Sequence, residues 1–109
     1  MTRYAVGAAA FEIDSLPSQC QVAICHGFFV KPEARGMGKA HIAKKAQAEI
    51  LKSLAYDYAI CTVMDSNWPQ KRVLEKAGWA CLASFYSARQ DEQIEIWGKA
   101  THNEGDEPK

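Results

Sequence analysis

A short segment with glycine and arginine, Arg35-Gly36-Met37-Gly38, joins an apolar run ending at Val30 to a helix-like run. Backbone N–H groups at the start of a helix have no partner inside it, and the helix dipole adds partial positive charge there. Glycine lets the backbone approach a phosphate without a Cβ in the way. The segment therefore predicts an anion site, suited to the phosphates of a cofactor.

The exact spacing narrows the kind of phosphate site. Neither the G-x-x-x-x-G-K-[ST] loop nor the G-x-G-x-x-G loop occurs in the chain. The segment instead reads R-x-x-G-x-A, from Arg35 to Ala40, and a second unusual segment, Asn67 to Trp79, begins with asparagine and ends in Lys-Ala-Gly-Trp. Taken alone, the first segment is also consistent with a simple strand-to-helix turn that requires glycine.

Together the two segments resemble the GNAT superfamily of acyl-CoA N-acyltransferases, in their order and in their spacing. The resemblance covers about residues 3 to 99. It implies that backbone N–H groups of the loop hold the cofactor pyrophosphate and that the preceding strand hydrogen-bonds the pantetheine arm. The cofactor-binding residues it implies are Phe28, Phe29, Val30, Arg35, Gly36, Met37, Gly38, Lys39, Ala40 and Asn67. Acetyl-CoA is the expected co-substrate, without a metal ion.

Asn67 also has a purely structural interpretation. The pattern Asn67-x-x-Gln70, with Pro69 in the first turn, is typical of a helix N-cap with a capping box. One side chain can cap the helix and contact the cofactor, so both roles stay open.

His26 is the predicted general base. An attacking amine must lose a proton near neutral pH, and histidine titrates in that range. His26 lies in the strand before the loop, and strict alternation predicts that Ile24, His26 and Phe28 share one face. The alternative is a histidine that is hydrogen-bonded in or near the core.

The proton donor for the leaving thiolate is less evident. Many members of the superfamily carry a tyrosine in the second helix, where this chain has Leu74. Tyr86 is the predicted substitute, although an aromatic residue in a strand is commonly a packing or surface residue.

The elements follow the order β-β-α-β-α-β-β, which predicts an α/β (α+β) fold with a mixed, mostly antiparallel sheet and two helices. The first strand is predicted from Tyr4 to Ile13. The first helix is predicted to bury Ile42, Ala46, Ile50 and Leu54 and to leave Lys44, Lys45, Glu49 and Lys52 on the surface. Residues 1–101 form one predicted domain, and residues 102–109 a flexible acidic tail.

Composition limits the partners. With 13 basic and 13 acidic residues the chain has no net charge, which argues against nucleic-acid binding and against an acidic membrane surface. We expect a cytoplasmic protein. The four cysteines form no C-x-x-C pair, and no familiar zinc spacing occurs.

The predicted function is transfer of an acetyl group from acetyl-CoA to an amine, on a protein or a small molecule, by direct attack in a ternary complex. The superfamily usually has a further strand and two helices before the region seen here, and they form much of the acceptor wall. Their absence favours a protein acceptor or a homodimer through the final strands. The alternatives are a catalytically inactive binding or inhibitory module with this fold, and an assembly component.

Overall fold

The computed structural model describes residues 2–102, so Met1 and most of the predicted tail, residues 103–109, lie outside the described part. Six strands form one sheet in the order β1-β2-β3-β4-β6-β5, in which β3 and β4 are parallel and all other neighbours are antiparallel. The elements are β1 (Thr2–Val6), β2 (Ala9–Leu16), β3 (Gln19–Val30), a 3-10 turn (Pro32–Ala34), α1 (Lys39–Ser53), β4 (Tyr58–Met64), α2 (Trp68–Lys76), β5 (Ala80–Ser87) and β6 (Glu92–Ala100).

The mixed α+β architecture with two helices agrees with the prediction, but the first predicted strand is wrong. The run from Tyr4 to Ile13 is two antiparallel strands, β1 and β2, that pair from Val6↔Ala9 outward. Gly7 adopts a positive φ of 59°, a conformation that glycine reaches without a Cβ clash, and the chain reverses there. The sheet consequently has six strands rather than five.

The main core lies between the sheet and both helices. Alternate strand residues such as Phe11, Cys25, Cys61 and Trp97 form one buried cluster with Leu51 of α1 and Leu74 of α2. The two helices therefore cover the same face of the sheet. The alternate side chains of β2 and β3 on the opposite face include the charged residues of the site described below.

The buried stripe of α1 differs from the predicted one. Ala43, Lys44, Gln47 and Leu51 are buried, whereas Ile42 is 57% exposed and Leu54 is 46% exposed. The helix is rotated so that the small Ala43 side chain contacts a second buried cluster with Ala9 and Val30. The rotation brings Lys44, predicted on the surface, into the interior.

Gly98 lies at a close contact inside the sheet and supplies a prediction about stability. A Cβ at this position would lie 2.7 Å from Leu82 Cδ1 and 2.7 Å from the ring of Tyr58. Because these side chains would have to move, Gly98→Ala is expected to destabilise the protein by about 1–3 kcal/mol. Urea denaturation measures the change, and adding Leu82→Ala should recover part of it; an unchanged midpoint for Gly98→Ala would contradict the packing described.

Candidate active site

The sheet opens between β3 and β4. These two parallel strands pair only from Val22↔Tyr58 to Ile24↔Ile60, although β3 continues to Val30 and β4 to Met64. A cavity of about 480 Å³ lies where the strands separate, with Cys25 to Phe28 of β3 along one side and Cys61 to Met64 of β4 along the other. The β3 backbone facing this gap is available to a ligand that adds as an extended strand.

A β-bulge at Gly27 decides which side chains face the two sides of the gap. The register of β2 with β3 shifts between Ala10↔Phe29 and Glu12↔His26, and Gly27 has φ 64°. Phe28 consequently stacks on Phe11 in the core, whereas His26 lies with Glu12 on the opposite face. The prediction that His26 and Phe28 share a face is therefore wrong, because alternation fails across a bulge.

A second cavity, of about 660 Å³, lies at the end of β3 and between the first turns of α1 and α2. Nine of the ten residues predicted to bind the cofactor line it. They are Phe28, Phe29, Val30, Arg35, Gly36, Gly38, Lys39, Ala40 and Asn67. Met37, the tenth, is 65% exposed and is not among the lining residues. The two cavities share Phe28, Asn67 and Gln70 and thus form one cleft.

The loop at this end of the cleft has the backbone of an anion cradle. Gly36 and Gly38 adopt φ values of 80° and 74°, and a Cβ built on either glycine has no heavy atom within 4 Å. Gly38 is the N-cap of α1 and lines this cavity together with Lys39 and Ala40, so the first turn of the helix, whose N–H groups have no partner within the helix, lies at the cavity. The open space beside both glycines allows an anion such as a phosphate to approach the backbone closely.

Arg35 is held at the edge of the cradle. Its Nε donates to the carbonyl oxygen of Val30 at 2.9 Å, and its guanidinium lies 5.2 Å from the ring centroid of Phe29. These contacts fix a positive charge beside the loop.

Asn67 caps α2, as the structural interpretation predicted, but the predicted capping box is not formed, because the N–H of Asn67 donates to the carbonyl oxygen of Met64 at 2.9 Å rather than to Gln70. Its Oδ1 accepts a hydrogen bond from the backbone N–H of Gln70 at 3.3 Å. The same residue lines both parts of the cleft, so the cap and a cofactor contact remain compatible.

Two substitutions at Asn67 separate these roles. Asn67→Ala is expected to lower the free energy of unfolding by about 1 kcal/mol, because the cap is lost. Asn67→Ser should preserve the cap while shortening the side chain. If the side chain also contacts the cofactor, Asn67→Ser keeps its melting temperature but binds acetyl-CoA more weakly in calorimetry. Unchanged affinity in the serine variant would leave only the structural role.

His26 lies between two carboxylates of β2. Its Nδ1 is 3.2 Å from Oε2 of Glu12, and its Nε2 is 2.8 Å from Oδ2 of Asp14. The imidazole is about one-third exposed and lines the cavity between β3 and β4. The two carboxylates fix the ring orientation and place negative charge beside it, partly offset by Arg3, whose Nη1 lies 3.6 Å from Oε1 of Glu12. The remaining negative charge suits an incoming ammonium group.

Glu12 and Asp14 are site residues that were not predicted from the sequence. The available signal was the alternation Phe11-Glu12-Ile13-Asp14, which exposes two acids on one face of a strand. Pairing them with His26 requires the hairpin register, and that register depends on the bulge at Gly27. Glu12 also approaches this glycine closely, since a Cβ on Gly27 would lie 3.4 Å from Oε2 of Glu12.

Tyr86 is not brought to the cleft. Its side chain is 60% exposed, and its hydroxyl donates a hydrogen bond to the carboxylate of Asp91. This hydrogen bond raises the pKa of Tyr86 above its usual value of 10.0. Tyr86 does not appear among the residues of either cavity, so its geometry does not support proton donation to a ligand there.

The predicted homodimer surface is the edge strand β5. Among the described residues this strand has a neighbour on one side only, and it carries exposed Leu82, Phe85 and Tyr86; the homodimer itself stays a prediction.

Within residues 2–102, no cluster of His, Cys, Asp or Glu has a metal-binding arrangement. Neither helix in that range has the length and apolar character needed to cross a membrane.

Comparisons with known proteins identify the fold. No family model matches the sequence, and no curated protein matches it. Among solved structures, an acetyltransferase from Bacillus subtilis in complex with CoA has a TM-score of 0.78 at 14% identity, over 89% of this chain and 72% of that one. The ribosomal-protein-S18-alanine N-acetyltransferase from Escherichia coli has a TM-score of 0.73 at 14% identity, over 94% and 66%.

A GNAT-family acetyltransferase from Streptococcus pneumoniae is similar as well, with a TM-score of 0.73 at 12% identity over 85% of this chain and 59% of that one. The chain therefore has the GNAT acetyltransferase fold, as its two motifs predicted. It spans about 59% to 66% of the length of the Streptococcus and Escherichia proteins.

Proposed function

We propose that this protein is an N-acetyltransferase that transfers the acetyl group of acetyl-CoA directly to an amine within a ternary complex. One observation supports this most strongly. A single cleft runs from a glycine cradle for phosphates, through a gap in the sheet, to a histidine held between two carboxylates.

The cofactor would lie along the cleft with its pyrophosphate at the glycine loop and its thioester at the gap between β3 and β4. Its pyrophosphate would meet the N–H groups at Gly36 to Ala40, with Arg35 beside them. The pantetheine arm would pass Phe28 and Asn67, which belong to both cavities, and would pair with the free edge of β3. The thioester would then reach the gap beside the bulge, where a β3 N–H is available to polarise its carbonyl oxygen.

The acceptor amine would approach from the opposite face of the sheet. Glu12 and Asp14 lie there, with side chains 21% and 32% exposed, and their charges favour an ammonium group. To take the proton that the amine loses on attacking the thioester carbon, His26 would have to release one of its two carboxylates and present that ring nitrogen to the amine; the longer contact, 3.2 Å from Nδ1 to Glu12, is the one expected to open. The nitrogen–carbon bond then forms as the carbon–sulfur bond breaks, and no covalent enzyme intermediate is needed.

An unfolded protein N-terminus is the acceptor class that we favour. The acidic face around His26 is partly open, so a flexible chain end can reach it more readily than a lysine on a rigid surface. One structural neighbour carries the name of an N-acetyltransferase for the alanine of ribosomal protein S18. Small amines are the less favoured class, since the carboxylates of Glu12 and Asp14 are partly exposed to solvent rather than enclosed.

The proposal can be tested with three acceptors in one mass-spectrometric assay. The probes are a peptide with a free N-terminus and no lysine, an N-terminally blocked peptide with one lysine, and spermidine. With acetyl-CoA, the wild-type protein is expected to acetylate the first peptide fastest, and a Gly36→Asp variant should acetylate none. Binding of acetyl-CoA without transfer to any probe would instead support the inactive binding module.

A further inference from the structure

A buried lysine lies on the helix side of the cleft and has no role in the proposal so far. Lys44 of α1 is 3% exposed. Its Nζ donates to Oε1 of Gln47 at 2.9 Å and lies 4.8 Å and 4.5 Å from the ring centroids of Phe28 and Trp79. An amide oxygen and two aromatic faces therefore hold the ammonium group in a nearly dry position.

No carboxylate of the described residues is among the groups that act electrostatically on Lys44. Those groups are the thiol of Cys25 in β3, the thiol of Cys61 in β4 and the ammonium of Lys99 in β6. Burial is the main cause that lowers the pKa of Lys44 below its usual value of 10.5. A buried cation without a carboxylate partner costs free energy, and an anionic ligand in the cleft would reduce that cost.

Lys44 and His26 line the same cavity from opposite faces of the sheet. His26 lies with Glu12 and Asp14 on one face, whereas Lys44 comes from α1 on the other. The gap between β3 and β4 connects them. A thioester within this gap would present its carbonyl carbon to an amine beside His26. Its sulfur atom would lie on the side of Lys44.

Acyl transfer produces a thiolate on the cofactor side, and this anion needs a proton or a nearby cation. The second helix offers no hydroxyl there, because Leu74 is fully buried in the core cluster that contains Cys25, Cys61 and Trp79. Lys44 contacts the same Trp79 and lies near both thiols. Its ammonium group is thus the available proton donor on this side of the cleft.

We propose that Lys44 donates the proton that converts the leaving thiolate of CoA into a thiol, an inference that rests on the proposed N-acetyltransferase function. The amine nitrogen bonds to the thioester carbon, and the carbon–sulfur bond breaks with its electron pair moving to sulfur. An ammonium acceptor first releases one proton to water, and the resulting neutral amine attacks; its nitrogen then loses a second proton to His26 as the amide forms, while Lys44 Nζ supplies a proton to the sulfur. The neutral Lys44 amine then regains a proton from water.

The first test measures the ionisation of bound CoA and needs no acceptor. The thiolate absorbance of bound CoA is titrated against pH in wild type, Lys44→Met and Lys45→Met, with the acetyl-CoA complex of each protein as the blank. An ammonium group next to sulfur should lower the thiol pKa, so the Lys44→Met complex should titrate at least about one pH unit higher than wild type. The exposed neighbour Lys45 serves as the control, and its variant should titrate like wild type.

Identical titrations in proteins that all bind CoA would overturn the inference, since a purely structural lysine would not alter the sulfur. Failure of wild type to bind CoA in calorimetry would mark a different failure, that of the proposed function itself.

A second test separates proton donation from charge alone. Arginine retains the cation but releases its proton far less readily. With the peptide that wild type acetylates, both Lys44→Met and Lys44→Arg are expected to lose about 100-fold in kcat, in the range of general acid–base effects. A Lys44→Arg variant with the wild-type rate would rule out proton donation by Lys44, as would acetylation of Lys44 itself, detected by mass spectrometry.

Discussion

Replacing Lys44 with methionine is expected to raise the free energy of unfolding by about 1–3 kcal/mol at pH 7, because a lone buried cation is exchanged for an apolar side chain of similar length. Methionine can fill the space between Phe28 and Trp79, the two rings that now contact Nζ, with favourable sulfur–aromatic contacts. Gains in stability of this kind commonly accompany the removal of a functional buried group.

The gain should depend on pH in a defined direction. The pKa of Lys44 is lower in the folded protein than the usual 10.5, so the folded state binds fewer protons than the unfolded state at pH values between the two pKa values. Between the two pKa values, the free energy of unfolding of the wild type therefore rises with pH. Below both pKa values Lys44 is charged in the folded protein, and its destabilising effect is largest. The advantage of Lys44→Met should shrink as the pH approaches 10.

Urea denaturation at several pH values measures this difference. Burial also raises the pKa of Cys25, to about 12, which lowers folded-state stability at alkaline pH, but the thiol is present in both proteins. Subtracting the two stabilities leaves mainly the contribution of Lys44. Lys45→Met is the matched control, with an expected change within about 0.5 kcal/mol. A Lys44→Met advantage that grows with pH would contradict the burial of a charged amine.

The His26→Ala variant is expected to lose acetyl transfer by a factor of about 10²–10⁴ in kcat, the usual effect of removing a general base. His26 lies on the acceptor face, away from the glycine cradle, so the affinity for acetyl-CoA should not change. The peptide with a free N-terminus is the substrate for this measurement, and binding is followed in parallel by calorimetry.

The exposed His102, outside both cavities, gives the control variant His102→Ala, which should retain the wild-type rate. The rate of His26→Ala should also recover as the pH rises, because a growing fraction of the peptide amine is already unprotonated. A His26→Ala protein with full activity at pH 7 would remove His26 from the mechanism while leaving the cofactor site intact.

Local patterns predicted much of the fold. The sequence predicts a strand from Tyr58 to Met64 and helices from Gly38 to Leu54 and from Pro69 to Lys76. The strand has these limits, and α1 and α2 begin within one residue of their predicted starts. Hydrophobic periodicity and turn residues encode such elements directly. Gly7 looked like one residue within an apolar run, and the reversal there became evident only once β1 and β2 paired with each other.

The cavity proposed to hold the cofactor was also predictable, because a turn with glycine at a helix start is built from consecutive residues. The proposed catalytic half was not, since it depends on long-range geometry. The pairing of His26 with Glu12 and Asp14 requires a register that is shifted by a bulge. The position of Lys44 requires the rotation of α1 about its axis, and hydrophobic periodicity selected the wrong face because the buried stripe includes the polar residues Lys44 and Gln47.

Calorimetric titration of the purified protein with acetyl-CoA tests the central claim most directly, with an Arg35→Glu, Gly38→Asp double variant beside it. The variant places two carboxylates at a cradle that should hold a pyrophosphate, and Gly38 has the positive φ of 74° that aspartate adopts less readily than glycine. We predict micromolar binding by wild type and at least about 100-fold weaker binding by the folded variant. Equal binding by both proteins, or none by wild type, would contradict the assignment of this cleft to acetyl-CoA.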